Sequence, residues 1–319
     1  MSELLEVKNL KKYFKTKRGS VHAVDDVTFS IGQGKTMGVV GESGCGKSTL
    51  GRVLVHLEDS SGGQFLFAGE DVTQARGPQL RAYRENAQMI FQDPYSSLNP
   101  RYTIEETIQE PLLLSRRYGR REIQQKTTEL MDLVGIAQRL RLSYPHELDG
   151  GRRQRVVIAR ALALEPKFIV CDEPVSALDV SIQAQILNLL QDLQEERGLT
   201  YMFITHDLSV VRYISNDICV MYLGQLVETA SSETLFKNPL HPYTKALLSA
   251  VPSVDIHSRS QRIMLKGEIT SPIDPAEGCR FAARCNYACA ECRRAQKLEE
   301  VEPGHFVSCC RVRELNGRP

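Results

Sequence analysis

No run in this 319-residue chain approaches 18 consecutive apolar residues, which excludes a membrane-spanning helix on hydropathy. Charge of one sign is also missing. Forty Lys and Arg stand against 39 Asp and Glu, a net +1, which excludes the chain-wide basic field of a protein whose main partner is nucleic acid. No internal repeat or low-complexity tract is apparent, and 42% hydrophobic with 25% charged residues is too balanced for a disordered chain. Trp is absent too, which by itself excludes nothing. The opening Met1-Ser2-Glu3-Leu4-Leu5-Glu6 has neither a basic n-region nor an apolar h-region, and the expectation is a cytosolic chain. In that compartment, nine cysteines read as reduced or metal-bound thiols rather than disulfides. Cys45, Cys171 and Cys219 are scattered, whereas Cys279, Cys285, Cys289, Cys292, Cys309 and Cys310 crowd into the C-terminal stretch.

What is present alternates between strand and helix patterns. Leu5 to Lys8, Val24 to Ile31 and Met37 to Val40 read as short strands, the alternation of the first stopping at Asn9. Lys47 to Leu57 has helical spacing at Leu50, Val53, Leu54 and Leu57. Residues 104–142 are helix-rich, with Gly135 as a C-terminal stop. Phe168 to Cys171 and Tyr201 to Thr205 are apolar strands on either side of a helix over Ile182 to Leu193. This order predicts an α/β fold whose sheet is covered on both faces, with a helical subdomain inserted over about 93–165. From Asn238 onward Pro239, Pro242, Pro252, Pro272 and Pro275 mark a loop-rich region, so the expected division is 1–237 and 238–319.

Gly41-Glu42-Ser43-Gly44-Cys45-Gly46-Lys47-Ser48-Thr49 fits G-x-x-x-x-G-K-[ST] between an apolar strand and a helix. Glycines there let successive backbone N–H groups face one polyphosphate, and the helix N-terminus adds its positive dipole end. Lys47 is placed for the β- and γ-phosphates and Ser48 for Mg²⁺. Phe168-Ile169-Val170-Cys171-Asp172-Glu173 delivers a carboxylate, Asp172, to the Mg²⁺ shell, and beside it Glu173 to orient or deprotonate the attacking water. Gln92 and His206 each follow an apolar run. On the ligand side of a parallel sheet, Gln92 would meet Mg²⁺ or water, and His206 the γ-phosphate.

This order resembles the ATP-binding-cassette ATPases over about residues 4–237: the phosphate loop at 41–49, Gln92, a signature loop near 148–152, the strand 168–172, Glu173, the turn Ser176-Ala177-Leu178-Asp179, and His206. The resemblance implies an ATP-binding cassette with Mg²⁺, coupled through the Gln92 region to membrane permease subunits, and an aromatic on the adenine. Phe14 fits that role, with Tyr13 its neighbour. Phe91 to Arg101 and His241 to Leu248 are similar to the oligopeptide/dipeptide/nickel importer ATPases, as is the tail Gly278-Cys279, Cys285, Cys292, Gly304-His305 and Cys309. Similar proteins hold a 4Fe-4S cluster in that tail. Four thiolates suit such a cluster and equally a tetrahedral zinc site, and spacing does not separate the two. Cys289 and Cys310 are left over as substitutes for a neighbour or free thiols.

One departure stands out. The family signature Leu-Ser-Gly-Gly-Gln reads Leu148-Asp149-Gly150-Gly151-Arg152 here. The resemblance implies head-to-tail pairing of two such domains, so Asp149 acts in trans, its charge facing the γ-phosphate at the partner's site, with Arg152 compensating in part. The expected assembly is therefore an asymmetric pair with a second, non-identical cassette subunit on two permease subunits fed by a solute-binding protein. It would lie at the cytoplasmic face of the membrane and import peptides, nickel or another chelated metal being the alternative. A soluble cassette ATPase and a regulatory ATP-binding subunit are the competing classes. Near-zero charge and the tail weigh against the first; intact Lys47, Asp172, Glu173 and His206 weigh against the second.

Overall fold

The structure, a computed structural model, describes residues 3–251, 262–267 and 270–317; Met1, Ser2 and Pro252 lie outside them. The chain divides into two compact units, Met1–Thr73 with Phe203–Pro319, and Gln74–Met202.

The first unit opens with β1 (Glu3–Thr16) and β2 (Gly19–Gly32), an antiparallel pair. The pairing slips between Val7 and Leu10, where Asn9 takes φ 49° and its side-chain amide donates to Asp26 Oδ1 at 2.8 Å. The interrupted alternation is thus a bulge within one long strand, at a residue type that tolerates the left-handed region. β3 (Thr36–Val40) is buried throughout and leads through the glycine loop into α1 (Lys47–Leu54). Leu50, Val53 and Leu54 are buried as their spacing predicts, but α1 stops before Leu57, which is 51% exposed. The chain turns at His56, φ 56°, whose ring nitrogen Nε2 lies 2.7 Å from the Val72 carbonyl oxygen. β4 (Gly62–Phe67) pairs antiparallel with β1, and β5 (Glu70–Asp71) with β4.

The second unit holds α2 (Gly77–Asn86), β6 (Ala87–Ile90), the one-turn α3 (Pro94–Ser97), α4 (Ile104–Ser115), α5 (Arg120–Leu133), α6 (Gly150–Leu162), β7 (Phe168–Asp172) and α7 (Val180–Arg197). β6 and β7 run parallel, Ile90 opposite Cys171, so the residues that follow both strands emerge at the same end. Local chemistry sets the helix limits. Thr103 and Glu106 form a capping box at the start of α4, and Gly135 (φ 70°) and Gly198 (φ 64°) take the left-handed turn after α5 and α7.

β8 (Thr200–Ile204) carries the chain back into the first unit, followed by α8 (Leu208–Ile214), β9 (Asp217–Tyr222), β10 (Gln225–Ser231), α9 (Ser232–Lys237) and α10 (Pro242–Ser249). The C-terminal region adds β11 (Glu299–Glu302), β12 (His305–Val307) and α11 (Val312–Leu315). Within this unit the strand order is β11-β12-β10-β9-β3, with β3 and β9 parallel. Strands of three or four residues leave no readable periodicity, so the loop-rich stretch in fact extends a sheet. It is also rooted in the core. Phe281 is buried with Tyr222 and Tyr243, and Glu228, fully buried, accepts from the Leu240 and His241 backbone N–H groups and lies 2.8 Å from His305 Nε2.

Candidate functional site

In the first unit the strand–loop–helix element is strained in the way glycine allows. Gly41, Gly44 and Gly46 take φ of 154°, 77° and 106°. A Cβ on Gly46 would lie 1.9 Å from the Ala23 carbonyl oxygen, and one on Gly41 2.1 Å from that of Met221, so neither tolerates a side chain. Lys47 is 5% exposed, and its ammonium donates to the loop's own carbonyls, Gly41 at 2.8 Å and Glu42 at 2.9 Å. Its charge is thereby fixed within the ring of backbone that bears Ser43, Cys45, Ser48 and Thr49. Burial pushes the Cys45 thiol up, against the pull of Lys47, leaving it a packing group rather than a nucleophile. His206 is exposed after β8; Thr205 donates its N–H to the Val39 carbonyl at 3.3 Å, and Asp207 caps α8. Tyr13 stacks on His22, ring centroids 4.0 Å apart, and donates a hydrogen bond to Asp25. Phe14, next along the strand, carries Lys12 over its ring at 4.7 Å.

In the second unit Asp172 ends β7 almost fully buried, and Glu173 follows at φ 47°. A non-glycine residue in that region holds strain of order 1 kcal/mol or more, which persists only where surrounding structure enforces it. Gln92 Nε2 donates to Glu173 Oε2 at 2.8 Å, joining two of the residues assigned from sequence. Asp93 caps α3 through the Tyr95 and Ser96 N–H groups, and Arg160 of α6 donates to the Ser97 carbonyl at 2.7 Å. Leu148 is buried, and Asp149 is the N-cap of α6. Its carboxylate accepts the Arg152 N–H at 2.7 Å and lies 3.4 Å from the Arg152 guanidinium. Besides the charge that the sequence reading assigns to it, Asp149 thus has a local role, since Asp caps a helix as well as Ser. A Cβ on Gly151 would meet Ile182 Cγ2 at 2.6 Å, so glycine is required there by packing. Ser176 Oγ donates to the Glu173 carbonyl at 3.1 Å, and Asp179 caps α7.

Cys279, Cys285, Cys292 and Cys309 line one small cavity with His241 and Phe281. Cys289 and Cys310, left over in the sequence reading, adjoin the same place. Each has its sulfur 3.8 Å from that of Cys292, and the three sulfurs lie within 4.8 Å of one another. Burial above all, with the neighbouring Cys292, Cys309 and Cys285 adding to it, pushes the Cys279 thiol up to about 11, and burial also raises Cys285 and Cys309. Thiols raised in this way keep their protons until a cation displaces them, and thiolates are ligands that suit soft metals.

Sequence reasoning missed two arginines. Arg284 Nη1 lies 2.6 Å from Glu42 Oε2 on the phosphate loop, and Arg280 pairs with Asp25 and donates to the Leu223 carbonyl. Separations of 242 and 255 residues leave no local signal for either pair.

The strand–glycine loop–helix and the carboxylate-ended strand define a P-loop nucleoside triphosphatase. Residues 24–176 match the ABC transporter family, and residues 227–292 match the oligopeptide/dipeptide transporter C-terminal region. The chain is 51% identical to the putative oligopeptide transport ATP-binding protein YkfD of Bacillus subtilis, over 96% of this chain and 94% of that one. It is 46% identical to the dipeptide transport ATP-binding protein DppF of Haemophilus influenzae, over 97% of each. Among solved structures, cbiO1 of Clostridium perfringens, part of the ABC transporter complex cbiONQ, superposes with TM-score 0.67 at 26% identity over 75% of this chain and 92% of that one. The ATP-binding cassette MJ0796, a dimer bound to ADP and Pi, gives 0.66 at 28% over 72% and 98%. The chain belongs to the ABC transporter family and is one of its ATPases.

Proposed function

We propose that this chain is the ATP-hydrolysing subunit of a membrane importer of di- and oligopeptides. The observation that carries the reading is the coexistence of a cassette with the oligopeptide/dipeptide C-terminal region in one chain, over nearly the full length of relatives named for peptide transport. The cassette occupies 1–237, with its helical subdomain at about 93–165, and the extension 238–319. Gly41 to Thr49 cradle the ATP phosphates, with Lys47 as their counter-charge and Phe14 on the adenine. Ser48, Gln92 and Asp172 hold Mg²⁺. Glu173 activates water, His206 senses the γ-phosphate, and Ser176 and Asp179 belong to the turn that faces the partner. The Gln92–Glu173 hydrogen bond supports this assignment, because an amide that holds the carboxylate sets where it points.

The subunit works beside a second, non-identical cassette subunit, peripheral to two permease subunits at the cytoplasmic face. No helix among the described residues is long and apolar enough to cross a membrane. Leu148, Asp149, Gly150, Gly151 and Arg152 face the partner's nucleotide, and the Asp149 carboxylate weakens that site while this chain's own remains active. Cys279, Cys285, Cys292 and Cys309 hold a 4Fe-4S cluster; the cavity they line supports this donor set, and zinc is the other metal it suits. Bound there, the cluster supplies a cross-link among four points of the extension. Iron, sulfide and zinc content of anaerobically purified protein decides between them.

The deciding experiment is ATP hydrolysis by the reconstituted complex with its binding protein. Short peptides are expected to stimulate turnover, and Lys47→Ala to abolish it. Indifference to peptides with a response to nickel would reassign the solute, and indifference to every solute would overturn the transport reading.

A further inference from the structure

The segment Cys279 to Cys285 reaches the nucleotide site with three side chains. Phe281 is its anchor, 2% exposed and packed edge-on to Tyr222 with centroids 5.3 Å apart. On one side of it, Arg284 pairs with Glu42 of the phosphate loop, both partners largely buried, with its guanidinium 5.9 Å from the Tyr222 ring. On the other side, Arg280 pairs with Asp25, which also accepts from Tyr13, the residue before Phe14. The loop is held a third time through its main chain, the Glu42 N–H donating to Tyr243 Oη at 2.9 Å, and Tyr243 packs on Phe281.

Glu42 is an acid within a loop built to receive polyphosphate. Left uncompensated, its charge would oppose the ligand, and in a site of reduced dielectric that opposition is large. Arg284 cancels it. Both ends of the segment that delivers Arg284 are cysteines that line the same cavity, so whatever ties those thiols together also fixes both arginines.

We infer that the Cys279–Cys285 segment is an intramolecular clamp on the ATP site, with Arg284 and Arg280 as positioning residues and the thiol-bound metal as the element that tightens it. The inference rests on the ATP and metal assignments proposed above. Its consequence is that nucleotide affinity tracks metal occupancy within a single chain.

The test measures binding of a fluorescent ATP analogue with Mg²⁺ to the purified full chain. Arg284→Gln is expected to weaken binding about tenfold by unmasking Glu42, and Glu42→Gln added to it to restore binding to within about twofold. A merely structural arginine would show no such rescue. Stripping the metal with a chelator is expected to weaken binding by the parent several-fold, and by the Glu42→Gln/Arg284→Gln variant much less. Parental affinity in Arg284→Gln, or a double variant as weak as the single, overturns the clamp. Failure of the parent to bind nucleotide overturns the ATP assignment and the clamp with it. A chain that binds nucleotide, shows the rescue and contains no metal sustains the arginines and removes the metal from the device.

Discussion

Asp217 opens β9 opposite Met37, half-buried, and desolvation holds its carboxyl above the ordinary 3.8, with Glu3 adding to the rise and Lys35 opposing it. In the window above 3.8 the native chain keeps a proton that the unfolded chain has lost. Stability is therefore full below that value and falls as pH rises through the window, and the cost persists at neutrality. Asp217→Asn is expected to be the more stable variant at pH near 7, by an amount that shrinks on acidification toward pH about 4. Urea unfolding midpoints at the two pH values check this, and a gap that widens in acid contradicts it. Glycines are the clearest case of legibility at this scale. Gly41 and Gly46 stand where the spacing demanded them because their backbone reaches φ of 154° and 106° against neighbouring carbonyls. Arg284 was illegible for the opposite reason, since its partner is chosen by tertiary packing rather than by neighbours in sequence.

Among the elements, α6 shows how a departure from a family pattern is absorbed. Asp149 keeps the N-cap through the Arg152 N–H, so Asp149→Ser is expected to leave thermal stability within about 0.5 kcal/mol, whereas Asp149→Ala costs about 1 kcal/mol. If the carboxylate weakens the partner's nucleotide site, Asp149→Ser also raises ATP turnover of the assembled complex. Unchanged turnover would leave capping as its whole role. Glu173→Gln, compared with the same change in the partner, measures the asymmetry directly, and equal losses would refute it. Helices and buried strands were readable because caps, stop glycines and apolar periodicity are local. Boundaries failed where a single backbone conformation intervened, as at Asn9 inside β1 and His56 beyond α1. The six clustered cysteines are legible as a site, yet the three sulfurs that lie within 4.8 Å of one another, those of Cys289, Cys292 and Cys310, include the two that spacing leaves aside.

At the scale of the whole molecule, the first unit is assembled from two distant stretches of chain, joined where β3 pairs with β9, and within the second stretch β10 pairs with β12 some 77 residues on. Pairings of such sequence separation form late and slowly. Glu228, wholly buried, ties β10 to the chain that enters α10 and to β12 by accepting from the Leu240 and His241 N–H groups beside His305. Glu228→Ala strands those donors and is expected to cost about 3 kcal/mol or more, read as a lowered unfolding midpoint. An unaltered midpoint would mean that β12 and α10 pack on β10 without it.

The outermost strand on the C-terminal side of that sheet is β11, and it reads Glu-Glu-Val-Glu. A sheet margin with free backbone groups invites a strand from another molecule, and charge along it repels such a visitor. Glu299 and Glu300 are exposed there. Replacing both with valine is therefore expected to produce concentration-dependent self-association in light scattering, and a variant that stays monomeric would show that these two acids do not guard the margin.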